Sequence, residues 1–497
     1  MDRLLNLIQS LSPKEKSQYV KYARQHLKEK DSKKVVLFQL ICQQLRGQVK
    51  DYQKQASVLF RASSLPSIKT QLYNQILESL TRSSMVSVRS ELSQMIDEVR
   101  MLTERGLFRQ AISRIEKAKK IATANALHFQ FLEISLLHRR IIRQYKTKDV
   151  AESLQREQRN CAEKIGLIAE EFDLLNLYET FFIKRRMGTL KTDAVASLNQ
   201  SGREAGSLRS FEARAYYYLL EHMSGNNERN YQRAFTASEN LIALFEENQA
   251  ILHENLSRYL RSIANYLNAC IMMGYVESAR NKLEEIKKLK PKNSFDEALK
   301  QSTVIGQEII LYFHLKEYGK IIFMAPQVKR MLDKYGVFIH FDRSLEISYN
   351  MAISFFLKNK MGKSLDWLNT CLEARDNSEL KEKVTGKAFG VFVQASAMVF
   401  RIIVFYEMGN LKLAGHFIGP TTYFLENRGL KESTLWKILM SLKLVVSARK
   451  DKAEELVSLQ NQLNGNARYE EYTLWVERAL GNLKDTGISD STSVKLA

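Results

Sequence analysis

Leu260–Pro291 reads LRSIANYLNACIMMGYVESARNKLEEIKKLKP. Apolar residues recur at steps of three and four on both sides of Gly274, the pattern of two amphipathic helices joined by a residue with unusual backbone freedom. After the turn come a small residue, Ala279, then apolar Leu283 and Ile286, and a stop at Pro291. Two antiparallel helices need a tight turn, which Gly274 supplies, and a small side chain where their backbones approach, which Ala279 supplies. Neither helix can bury its apolar face alone, so the stretch predicts one hairpin in a stack of hairpins.

The same phase recurs at Gly106 with Ala111, Ile115 and Ala118, and at Gly409 with Ala414 and Ile418. Weaker copies centre on Ala234 after Tyr231, on Ile321 after Tyr318, and on Ser364 with Leu368. The second-helix anchors Ala279, Ile321, Ser364 and Ala414 are 42, 43 and 50 residues apart. A regular array of such hairpins repeats at about 34 residues, so these units carry longer helices or loops.

With Leu260 as position one, Gly274, Ala279, Leu283, Ile286 and Pro291 resemble the tetratricopeptide repeat. Ile263 stands where that family has tryptophan, and Leu267 where it has glycine. The resemblance implies an all-α fold, an α-solenoid of irregular tetratricopeptide-like helix pairs whose first helices line a concave groove for a protein or peptide. On that register Arg261, Asn265 and Asn268 fall at groove positions of the best repeat. Counting from Leu345, Tyr349 and Asn350 fall at groove positions of the Ser364 repeat. Asparagine is a poor helix former, so these residues need a reason: a bound peptide, a bond to a neighbouring helix, or water.

Composition agrees with helices. Five prolines and 21 glycines in 497 residues are too few turn-formers for a protein of many short strands. Stretches 92–122 and 345–373 carry the amphipathic period, and Tyr216, Tyr217 and Tyr218 cover enough of a helix circumference to put one in a core and another at the surface. Residues 1–90 form a basic helical module before the array of 91–484, and 485–497 lose the apolar period and read as a flexible tail. In the module Ser12, Pro13 and Glu15 predict a capped helix start at Pro13, with further helices over 33–46, 52–62 and 67–83. Its stretches LSPKEKSQYVKYARQHLKEK, VVLFQLICQQL and QLYNQILESLTR also resemble the opening of a group of uncharacterised bacterial helical-repeat proteins, a likeness that implies no function.

Catalytic and cofactor motifs are missing from the sequence. There is no P-loop, no GxGxxG, no HExxH and no GxSxG. Cys42, Cys161, Cys270 and Cys371 lie about a hundred residues apart, which excludes a CxxC pair and points to packed thiols in a reducing cytoplasm. A lone histidine such as His314 reads as packed or surface, and adjacent glutamates such as Glu284 and Glu285 diverge by about 100° on a helix, as solvated faces do. The expected protein is therefore no enzyme, binds no cofactor or metal, and leaves its oligomeric state open. One apolar stretch, Ala388–Tyr406, is long enough to cross a membrane, but Arg401 within it argues for a buried core helix and no membrane span.

The net charge of +20 is concentrated. Lys14, Lys16, Lys21, Arg24, Lys28, Lys30, Lys33 and Lys34 crowd the amino-terminal module beside Tyr19 and Tyr22, and Arg139, Arg140, Arg143, Lys146 and Lys148 form a second cluster. Such cations can neutralise phosphates without reading sequence. The expected function is a scaffold or adaptor holding a protein or peptide in its groove. The alternative is a nucleic-acid-associated regulator that docks through the basic module.

Overall fold

A computed structural model of the chain describes residues 2–26, 33–83, 87–145, 149–187, 205–373, 389–447, 452–463 and 470–485. Every regular element among them is a helix, and no strand occurs among the described residues. The chain folds as two compact units, Met1–Phe181 with Thr192–Lys300, and Phe182–Lys191 with Gln301–Ala497. The tail predicted over 485–497 lies outside the described residues apart from Asp485.

Residues up to Leu80 share one apolar core, in which Ile8, Leu37, Ile41, Leu72 and Ile76 are fully buried. The helix Pro13–His26 begins as its cap predicts: Ser12 N–H donates to Glu15 Oε2 at 2.7 Å, and Glu15 N–H to Ser12 Oγ at 3.2 Å. This reciprocal pair satisfies two amides that a helix start leaves open. The helices Lys33–Leu45, Tyr52–Leu59 and Leu65–Ser83 follow. A further helix, Arg3–Ser10, precedes them: the Asp2 carboxylate caps it by accepting from Leu4 and Leu5 N–H, and Leu4 and Ile8, four apart, are its buried residues.

Beyond the module, six hairpins share one geometry. A residue in the left-handed region ends the first helix at Gly106, Arg229, Gly274, Lys316, Asn359 and Gly409. Five positions after each stands a side chain with no exposed surface: Ala111, Ala234, Ala279, Ile321, Ser364 and Ala414. At every one of these turns the amide after the left-handed residue donates to a carbonyl five residues back, over 2.8–2.9 Å, from Leu107 to Leu102, Asn230 to Gly225, Tyr275 to Cys270, Glu317 to Tyr312, Lys360 to Phe355 and Asn410 to Phe405. This bond closes the last turn of a helix around a left-handed residue. The first helices are Val88–Glu104, Phe211–Asn227, Leu256–Met273, Ser294–His314, Phe341–Leu357 and Phe389–Glu407. Their partners begin at Phe108, Tyr231, Val276, Tyr318, Met361 and Leu411.

Three neighbouring pairs of hairpins pack on one another, those at Arg229 and Gly274, at Lys316 and Asn359, and at Asn359 and Gly409. Tyr231–Glu247 lies on Leu256–Met273, where Phe235 meets Tyr266 and Tyr275 at ring-centroid distances of 5.5 and 5.0 Å. Met361–Glu373 lies on Phe389–Glu407. The latter helix is apolar on most sides because it is covered on most sides: 78% of Gly390–Glu407 is buried inside the chain, and the Arg401 guanidinium stacks 3.8 Å from the centroid of the Phe417 ring. Cys161, Cys270 and Cys371 are buried free thiols, and Cys42 is half-buried.

The turn geometry gives a paired test. At Gly274, with φ near +75°, alanine should lower the unfolding free energy by about 1–2 kcal/mol. At Gly319, inside a helix with nothing within 4 Å of an added methyl, the same change should raise it by about 0.5–1 kcal/mol. Urea denaturation of the full chain measures both.

Candidate functional site

The residues placed in a groove by register divide into an open set and a covered one. On the helix Leu256–Met273, Tyr259, Ile263, Tyr266, Leu267 and Cys270 are buried. Arg261, Asn265 and Asn268, spaced by four and three, share a different face, with Arg261 and Asn268 exposed and Asn265 half-buried. Met272 extends that face and is 51% exposed. Neither asparagine side chain hydrogen-bonds another described residue, so both amides on this face are free to pair with something that lands there.

Tyr349, placed at a groove position by register, is different. Its side chain is buried, because the helix Glu470–Asp485 covers it. The Tyr349 hydroxyl donates to Glu471 Oε1 at 3.0 Å and lies 3.1 Å from the Tyr472 hydroxyl. The Tyr472 hydroxyl donates in turn to the Ser396 carbonyl oxygen at 3.1 Å. Burial, with Glu471 and Tyr472 beside it, pushes the Tyr349 phenol well above its ordinary range. Phe400 meets the rings of Tyr349, Phe356 and Tyr472 edge-on, at 6.1, 4.9 and 5.9 Å. Asn350, one residue on, is half-buried, and its carbonyl accepts from Ser354 Oγ.

The basic residues also separate. Lys14, Lys21 and Arg24 are exposed on Pro13–His26, without an ion pair among the described residues. Lys16 is half-buried and lines a cleft of about 570 Å³ with Val20, Phe38, Cys42 and Arg46. Burial, aided by the nearby Arg46 charge, lowers its ammonium pKa. Lys28, Lys30, Lys146 and Lys148 lie outside the described residues. Arg140 and Arg143 are exposed on His128–Tyr145, whereas Arg139 is half-buried with a buried Nε that has no hydrogen-bond partner. The helix carrying these arginines contributes to a core that runs from Leu92 to Ile141, separate from the core under Lys14.

Two arrangements escaped the sequence. Tyr216, Tyr217 and Tyr218 are all half-buried, so the expected split into one core and one surface ring is replaced. Tyr216 lies between Tyr178 and the Arg258 guanidinium, and Tyr217 packs edge-on against Tyr218 beside a cleft of about 510 Å³. The second arrangement is a buried ionic cluster. Lys119 Nζ donates to Glu157 Oε2, and His138 Nδ1 donates to Glu157 Oε1 at 3.1 Å. Glu157 is 3% exposed. Burial pushes its carboxyl up, but the hydrogen bonds and charges of His138 and Lys119 outweigh that and bring the pKa down to about 2. The three residues come from three helices, 38 positions apart at the extremes, so no local spacing announces them.

Among the described residues no group of three His, Cys, Asp or Glu side chains is placed to hold a metal ion. No protein-family model matches the chain, and no curated protein matches it.

The ionic cluster predicts a pH dependence. A carboxyl whose folded pKa lies near 2 against an ordinary 4.5 contributes stability in full above about pH 4.5 and loses it as the pH falls towards 2. Glu157→Gln should therefore flatten the fall in stability across that window. At pH 7 it should destabilise by about 3–5 kcal/mol, because Lys119 is left buried without its counter-charge. Chemical denaturation of both proteins between pH 2 and 7 checks the two parts.

Proposed function

We propose that the chain is a non-enzymatic scaffold or adaptor: a tetratricopeptide-like α-solenoid that holds a protein or peptide partner along the faces of its first helices. The observation that carries this reading is the shared phase of the six hairpins, each with a left-handed turn residue and a buried anchor five positions later. Repetition of one hairpin presents equivalent first-helix faces side by side, which is how helical-repeat proteins build extended binding surfaces. On Leu256–Met273 that face carries Arg261, Asn265, Asn268 and Met272, a mixture of charge, amides and an adaptable apolar side chain suited to a peptide backbone and its side chains.

A second reading, in which the basic module docks on nucleic acid, draws support from one observation: Lys14, Lys21 and Arg24 project from one short helix with no described ion pair. Contacts of this kind add affinity that falls steeply with salt.

The two readings separate in one experiment. Affinity capture with the full chain as bait, followed by mass spectrometry, should recover a protein partner that survives nuclease treatment. Recovery should fall at least tenfold for Asn265→Ala/Asn268→Ala and stay unchanged for Lys14→Ala/Lys21→Ala/Arg24→Ala. The reverse pattern, with recovery abolished by nuclease, would establish the nucleic-acid reading instead.

A further inference from the structure

We infer that the helix Glu470–Asp485 is a ligand bound in cis. It occupies the first-helix face formed by Phe341–Leu357 and Phe389–Glu407, and this face accepts a partner helix of the same chemistry once it is displaced. The inference rests on the proposed adaptor reading and names the chemistry of one part of its groove.

Three observations carry it. The first is reach. In a simple stack of hairpins each unit touches its neighbours, and Thr434–Val446 and Lys452–Leu463 continue the stack in that way. Glu470–Asp485 packs on Lys452–Leu463 in its turn and in addition reaches Tyr349, 122 residues earlier. It touches the first helices of two successive hairpins, through Tyr349 and Phe356 on one and Ser396, Phe400 and Tyr406 on the other. A helix that touches the first helices of two repeats lies against their faces as well as against the helix before it.

The second observation is the form of the contact. Tyr472 and Trp475 stand three residues apart, Val476 and Ala479 continue the stripe, and all four are buried. Glu471 supplies the acceptor for Tyr349, and Arg478 places its guanidinium 5.3 Å from the Phe356 ring centroid. Aromatic anchors at helical spacing with a charged group at each end are the features by which an amphipathic helix is recognised in a groove.

The third observation is that the contact is incomplete. Trp475 Nε1 and Glu407 Oε1 are both buried without a hydrogen-bond partner. Burial raises the Glu407 carboxyl pKa, against the pull of the nearby Arg478 charge. Unsatisfied buried polar atoms weaken an interface. A partner helix that supplied an acceptor to the first and a donor to the second would hold this face more firmly than Glu470–Asp485 does. The predicted competitor is a partner helix with an acidic residue, then an aromatic pair three residues apart, then a small apolar residue one turn on, as in Glu471, Tyr472, Trp475 and Ala479.

The test uses the full chain and a fluorescent synthetic peptide of residues 470–485. In fluorescence anisotropy, Tyr472→Ala/Trp475→Ala should bind the peptide at least tenfold more tightly than the wild-type chain, whose face is already filled. In hydrogen exchange of the unmodified protein, amides of 470–485 should exchange at least tenfold faster than those of 341–357 and 389–407 beneath them. Equal protection of all three helices, or collapse of the double variant's cooperative melt, would make this helix an ordinary core element and overturn the inference. Peptide binding by neither protein, or equally by both, would do the same. A concentration-dependent dimer formed by the double variant would assign the face to a second copy and also overturn it. The peptide assay needs no cellular partner, so its failure leaves the capture result of the adaptor reading untouched, and a failed capture leaves the peptide result standing.

Discussion

Everything in the hairpin region depends on reversing a helix within a few residues without leaving its carbonyls bare. The left-handed residue is the means: it lets the next amide swing back to a carbonyl five residues earlier and starts the second helix at a fixed offset. In these six hairpins the residue five positions on arrives where the two helices meet, and its exposed surface is zero in each. Turn and anchor are thus one constraint, and the repeat is its recurrence. Three of the six turn residues are glycine, for which the conformation is free of Cβ strain. Arg229 and Lys316 adopt it too, at a cost of about 1–2 kcal/mol, so their turns must be held by the packing that follows, whereas Asn359 is a residue type that enters this conformation readily.

The anchors register how closely the two helices approach. Alanine fills four of the six positions. Ser364 is equivalent in size and satisfies its hydroxyl by donating to the Ala352 carbonyl across the hairpin at 2.8 Å. Ile321 is the large exception, and its helix is also the irregular one, since Tyr318–Phe323 stops before Ala325–Tyr335 with Pro326 at the new start. Proline has no N–H to continue the ladder, so a break at this point costs little. The hairpin at Arg229 reaches close approach from the other side: a Cβ on Gly225 would come within 2.7 Å of the Ala234 nitrogen.

This division explains what the sequence could and could not announce. Gly106, Gly274 and Gly409 were legible because glycine advertises its backbone, and Ser12 with Glu15 because the capping bonds are local. The copies at Arg229 and Lys316 were faint for a physical reason: there the left-handed conformation is imposed by the fold and leaves no mark on residue type, whereas Asn359 does carry such a mark. Tyr349 was assigned to a first-helix face by counting, yet counting within one hairpin cannot reveal what covers that face. Glu471, 122 residues later, and the His138–Glu157–Lys119 cluster, drawn from three helices, belong to tertiary structure, where spacing in sequence carries no information. A late signal did exist in the spacing of Tyr472, Trp475, Val476 and Ala479, which reads as an apolar stripe with two large anchors.

On the reading that Glu470–Asp485 is a ligand in cis, its linkage to the chain sets the scale on which any competitor must act. A ligand linked to its own site is held at an effective concentration of up to the order of millimolar, and Glu470–Asp485 is part of the same chain as the face it covers. A covering helix with an intrinsic Kd of about 1 mM would leave the face half open, and one of about 1 μM would close it roughly a thousandfold and weaken an outside partner by the same factor. The buried Trp475 indole N–H and Glu407 oxygen, each without a bond, move the balance towards the open end of that range. A competitor that supplied an acceptor to the first and a donor to the second would gain what the covering helix forgoes, so selectivity can arise from two atoms the resting contact leaves unpaired and not from a larger apolar stripe.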